Sequence, residues 1–142
     1  MKITTIYAAK ILGYITQNGN SLTTAGEIVE NVGISYQYCL KVMNEMKRAG
    51  ILVSEQGCKG GYRLKATQED VSLYDVLELF EYNRSADREK EREELAKDPF
   101  NQFMKHIHEK EAEDLRHFTI RDVYGKENNI ETLMREKPAV AK

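Results

Sequence analysis

The sequence predicts a mainly α fold: a winged helix-turn-helix with a two-stranded β wing and a long C-terminal dimerisation helix. Three observations predict it. Apolar residues recur at helical spacing in three short segments before residue 50, and only NVGIS separates the second segment from the third. A glycine-rich hairpin pattern, ILVSE then QGCKGG then YRLK, follows at once. In that plan the third helix enters a DNA major groove and the hairpin lies along the backbone or the minor groove. Beyond residue 99 a long apolar stripe supplies the last element.

The first helix is carried by Ala8, Ile11, Leu12 and Ile15, and the second by Ala25, Ile28, Val29 and Val32. Thr24 with Glu27 three residues on is a capping box that opens the second. Ser35 precedes the third helix, whose stripe is Cys39, Val42, Met43 and Met46, and Gly50 closes it. In the hairpin Tyr62 and Leu64 alternate with Arg63 and Lys65, the period of a half-buried strand. Ser72 with Asp75 opens a fourth helix on Leu73, Val76, Leu77 and Phe80. The run EYNRSADREKEREELAK is mostly charge and reads as a solvated helix or connector. Pro99 can start the long helix, whose stripe of Phe100, Phe103, Met104, Ile107, Leu115 and Phe118 extends to about FTIRDV. A lone amphipathic helix cannot bury such a stripe, and its place beyond a charged connector suggests that a second copy covers it. The expected organisation is therefore a DNA-binding domain at 1–82, a connector at 83–98, the dimerisation helix and following turn at 99–124, and a tail at 125–142.

At 142 residues, 41% apolar and 31% charged, the chain suits one core-forming domain with a helical arm. No segment has the uninterrupted apolar length of a membrane span, and Lys10 falls where a signal peptide would stay apolar, so a cytoplasmic protein without a membrane partner is expected. Cys39 and Cys58 make neither a disulfide framework nor a zinc spacing, and both are expected as reduced thiols. No nucleophile–base arrangement, phosphate-binding loop or metal cluster is evident, so no enzyme, no metal site and no cofactor is expected. The net charge of −2 excludes a globally basic nucleic-acid binder. The charge is local: from 41 to 65, six cations (Lys41, Lys47, Arg48, Lys59, Arg63, Lys65) stand against Glu45 and Glu55, a net of +4. Such a strip fits a phosphate-binding face, although a solvated lysine-rich surface gives the same count.

The stretch GISYQYCLKVMNEMKRAGILVSEQGCKGGYRLK followed by VSLYDVLELFE resembles the Rrf2 family of bacterial winged-helix transcription regulators. The likeness runs from about Met1 to Tyr82 and more loosely to Tyr124, and the segment Lys47 to Leu64 is its most specific part. It implies a homodimeric regulator joined through the helix from Phe100 to Phe118. Cluster-binding members carry three cysteines between the fourth helix and the dimer helix, and this chain has none there, so no iron–sulfur cluster is expected. Members often have Tyr-Leu-Glu in the reading helix. Here Tyr38, Cys39 and Leu40 replace it, so the operator sequence does not carry over.

The candidate DNA contacts are Ser35, Tyr36, Gln37, Tyr38 and Lys41 from the third helix, with Gly57, Lys59, Gly60, Gly61, Tyr62 and Arg63 from the wing. Ser and Tyr hydroxyls position phosphates, Gln37 suits an adenine edge, and glycines let backbone N–H groups approach. Leu40 either meets a thymine methyl or packs on a neighbouring helix. Cys58, beside Lys59, is a redox candidate because a nearby cation favours the thiolate. Cys39 reads as a small buried hydrophobe. His106 and His108 lie two apart and diverge on a helix, so they read as solvated surface. Expected partners are double-stranded DNA, a second copy, and a small-molecule effector between the front domain and the dimer helix, lined by Tyr and Phe. The competing class is an effector-binding or protein-interaction module that keeps the fold without tight DNA binding.

Overall fold

The computed structural model describes residues 1–19, 21–65, 71–82, 89–124 and Arg135. Helices α1 (Ile3–Gln17), α2 (Ala25–Val32) and α3 (Tyr36–Arg48) come first, then strands β1 (Leu52–Glu55) and β2 (Gly61–Leu64). Helices α4 (Leu73–Phe80), α5 (Glu89–Leu95), α6 (Pro99–His117) and α7 (Ile120–Val123) follow. The protein is thus mainly helical with one antiparallel hairpin, as the periodicities predict.

Local chemistry sets the boundaries. The Thr24 hydroxyl accepts from the Glu27 N–H, the Ser35 hydroxyl accepts from the Tyr38 N–H, and Ser72 and Asp75 cap each other reciprocally. Gly33 ends α2 in the left-handed region at φ 76°. Asp98 caps α6 by accepting from the Phe100 N–H, with Pro99 in the first turn where its missing N–H costs nothing. The expected stripes converge on one core: Ala8, Ile11, Leu12, Ile15, Ile28, Cys39, Met43 and Met46 are fully buried, with Leu52 and Leu64 closing it from the wing.

The hairpin pairs Leu52 with Leu64, Val53 with Arg63, Ser54 with Tyr62 and Glu55 with Gly61. An isolated antiparallel bridge, not expected from the sequence, adjoins it: Thr23 and Tyr62 exchange both backbone hydrogen bonds, at 2.9 and 2.8 Å. A Cβ on Gly61 would collide with the Thr23 backbone, so this close approach requires glycine.

Helix α6 ends at His117, Phe118 is extended, and Thr119 caps α7 through a reciprocal Thr119/Asp122 capping box. The break is held by the front domain, where the Leu73 N–H donates to the Phe118 carbonyl and the Ile120 N–H to the Val71 carbonyl. Ile120 enters the main core and α7 packs on α1. The Tyr124 ring occupies the space that a side chain at Gly13 would need, and Gln17 Nε2 donates to the Tyr124 carbonyl at 2.6 Å. Of the expected connector only α5 and the turn after it are described, and the tail lies outside the described residues apart from Arg135. Among the described residues no helix is long and apolar enough to cross a membrane.

Candidate nucleic-acid interface

Helix α3 turns its apolar row inward and leaves Ser35, Tyr36, Gln37 and Lys41 exposed. Gln37, Lys41, Asn44 and Arg48 recur at helical spacing on this outward side, and all four are exposed. Asn44 was not among the expected contacts, yet the spacing from Gln37 and Lys41 marks it. Ser35 spends its lone pairs on the helix cap, which leaves its O–H free to donate to a phosphate.

Two expected contacts are committed elsewhere. Tyr38 is turned toward α1: its hydroxyl hydrogen-bonds the Thr4 hydroxyl and its ring meets Tyr7 edge-on at 5.9 Å. The physical reason is its position one turn before Val42, which puts it beside the core row rather than opposite it. Tyr62 packs against the core from β2. Burial, then neighbouring Tyr36 and Cys39, hold its phenol above the ordinary range. Leu40 also packs against the core, which answers the two-way reading in favour of packing.

In the wing, Gly57, Cys58 and Lys59 form the exposed tip. Gly57 and Gly61 have positive φ, and a Cβ on Gly60 would strike the Glu55 carbonyl, so the turn itself demands all three glycines. Arg63 is half-exposed on the outer side of β2 and pairs with Glu55. Lys41, Lys47, Arg48, Lys59 and Lys65 are exposed. Helix α3 packs against β1 of the wing, so the cations of α3 and of the hairpin belong to one packed unit.

The remaining candidates separate. Cys39 is fully buried and burial pushes its thiol up, the state of an inert core cysteine, whereas Cys58 is exposed. Phe100, Phe103 and Met104 are 72%, 63% and 46% exposed, while Ile107 and Leu115 are half-buried. Phe118 is half-buried at the end of α6, edge-on to His117. His106 is exposed, and His108 meets the Tyr82 ring at 4.2 Å. A cleft of about 460 Å³ lies between α4 and α6, lined by Met1, Leu77, Glu81, Tyr82, Glu111, Asp114 and Leu115. Its walls are richer in carboxylates than the aromatic lining expected, with Tyr82 the aromatic member. Burial, then Glu111, Tyr74 and Glu81, raise the Tyr82 phenol.

A helix-turn-helix with a glycine-built wing and a cationic outer strip defines the class of winged-helix regulators. The chain belongs to the Rrf2 family, described as iron-dependent transcriptional regulators, whose profile matches residues 1–126. These are regulators of transcription rather than enzymes. The chain is 32% identical over 77 residues to the protein aau3 of Rhizobium meliloti, covering 54% of this chain and 50% of that protein. It spans about half the length of that curated relative. Its fold is similar to IscR of T. potens, with a TM-score of 0.64 at 19% identity over 87% of this chain and 84% of that one. It is also similar to CymR, the global cysteine regulator of B. subtilis, with a TM-score of 0.60 at 19% identity over 87% and 95% of the two chains.

The iron in the family description invites a test of fit. Cysteine thiolates hold iron–sulfur clusters, and the two cysteines here lie in the α3 core and at the wing tip. Among the described residues no group of three or more His, Cys, Asp or Glu is placed to hold a metal. The residues present do not fit a thiolate-held cluster.

Proposed function

We propose that the protein is a homodimeric, sequence-specific DNA-binding repressor that recognises a near-palindromic operator. The observation that carries this reading is the outward row Gln37, Lys41, Asn44 and Arg48 on α3, all exposed, together with the exposed wing tip bearing Lys59. Gln37 and Asn44 carry the amide donor–acceptor pairs suited to a base edge, and Lys41, Arg48 and Lys59 supply phosphate contacts. Phe100, Phe103 and Met104 form the pairing surface, which sets two reading helices on half-sites about one DNA turn (roughly 34 Å) apart. The α4/α6 cleft is the place for an effector, and Cys58 at the tip is the place where oxidation would set bulk or charge against phosphates. No cofactor is proposed.

Selection from random duplexes, followed by titration of the winning sequence over a range of salt, tests the reading. A palindromic winner bound with strong salt dependence is the expected result. Failure to enrich any duplex favours the competing interaction module.

A further inference from the structure

Of the six cations in the strip, Arg63 differs from the other five. Lys41, Lys47, Arg48, Lys59 and Lys65 have no carboxylate partner among the described residues, whereas Arg63 is already engaged. Its Nη2 and Nε lie 3.3 and 3.4 Å from the same Glu55 oxygen, and its Nη1 donates to the Leu64 carbonyl at 3.3 Å. The register explains this. Val53 opposes Arg63 and Glu55 opposes Gly61, so Glu55 and Arg63 are diagonal neighbours on the outer side of the hairpin.

We propose that Glu55 sets the strength of the wing's grip on DNA by competing with the duplex for Arg63. Arginine is the side chain best matched to a phosphate or to the negative potential of a narrow minor groove, through the same donors that now face the carboxylate. Before Arg63 engages DNA it must leave Glu55, so the duplex has to outcompete that carboxylate for the same guanidinium donors. The pair is open to solvent, with side chains 35% and 50% exposed, so it is weak enough for DNA to displace. Glu55 is thus a brake on affinity rather than a block.

The inference rests on the DNA-binding reading above, and its test separates the two. Wild type, E55Q, R63A and the double variant are titrated against the selected duplex at one fixed salt concentration, after their unfolding midpoints show that all four are folded. E55Q is expected to bind about twofold to fivefold tighter than wild type, the span of an exposed ion pair. In the R63A background the same change is expected to move affinity by less than about 1.5-fold. An unchanged E55Q, or an equal gain with and without Arg63, overturns the proposal while leaving DNA binding intact. A wild-type protein that binds no selected duplex overturns the DNA reading itself.

Discussion

The two halves of α6 carry one stripe with opposite fates. In the C-terminal half Ala112 is buried and Leu115 half-buried where α6 packs on α4 of its own chain. In the N-terminal half Phe100, Phe103 and Met104 stand in solvent. The pattern of apolar residues is similar in both, so sequence periodicity alone does not say which neighbour a stripe will meet. The difference lies in reach: the front domain extends only far enough to cover the last turns of the helix, and the chain then turns at Phe118 to bury Ile120. The exposed cluster of Phe100, Phe103 and Met104 is the surface proposed above for pairing with a second copy.

The comparison breaks most visibly at Ile120. Truncating this fully buried side chain to alanine removes methylene groups from the core, and I120A is expected to cost about 2–5 kcal/mol in denaturant unfolding. An effect under about 0.5 kcal/mol would make α7 an ornament rather than part of the core. On the exposed half the opposite holds. F100E/F103E is expected to leave the unfolding midpoint of the monomer within surface-mutant range while shifting sedimentation from dimer to monomer. Affinity for a two-half-site duplex should then fall about 100-fold through lost effective concentration. If the double variant unfolds the protein instead, these rings pack within the chain and the contrast fails.

Tyr124 sharpens the contrast on the docked side. Burial raises its phenol above the ordinary value of 10.0, and the Tyr62 phenol shifts the same way. A raised acid of this kind contributes stability that is intact below the unfolded-state value and is lost as pH rises through the folded-state value. Stability should therefore be insensitive to these groups at neutral pH and fall as pH climbs past 10.0. Y124F is expected to reduce that alkaline loss while keeping the ring on Gly13, and an unaltered alkaline limb would show that the hydroxyl is not desolvated in solution.

How much of this was legible depends on whether the deciding partner is local. The core rows of α1 to α4, the caps at Ser35 and Ser72 and the alternation of β2 are written within a turn or two of sequence, and the structure has them. The end of α6 has a local sign too, the Thr119/Asp122 box just past Phe118. The bridge from Thr23 to the wing and the inward turn of Tyr38 have no local sign of comparable strength. Each is fixed by a residue far along the chain, Tyr62 in one case and Thr4 in the other. The sequence therefore marks the segments from which the outward surface is drawn, and the structure adds where single side chains such as Tyr38 turn.

Tyr38 gives the next test in size. Its hydroxyl ties the start of α3 to α1 through Thr4, a part-buried neutral hydrogen bond. Y38F is expected to lower stability by about 1 kcal/mol, and T4V by a similar amount, with the double variant losing little more than either alone. Additive losses would mean that the two hydroxyls act separately. Were Tyr38 a base-reading residue instead, Y38F would alter operator preference while leaving stability unmoved, the reverse of the expected pattern.

Lys59 completes the series, and its effect is the smallest because it is one point charge on an exposed tip. Unlike Arg63 it has no acidic partner among the described residues, so removing it frees no competing carboxylate. K59A is expected to weaken binding to selected and random duplexes alike, by about threefold at moderate salt, and to reduce the slope of log K against log salt by about 0.9. Stability should not move, since the tip contributes nothing to the core. A K59A variant with an unchanged slope would detach the wing tip from the phosphates and leave α3 as the sole contact element. A variant that loses only the selected sequence would make Lys59 a base-reading residue, a role its single flexible ammonium is poorly shaped to fill.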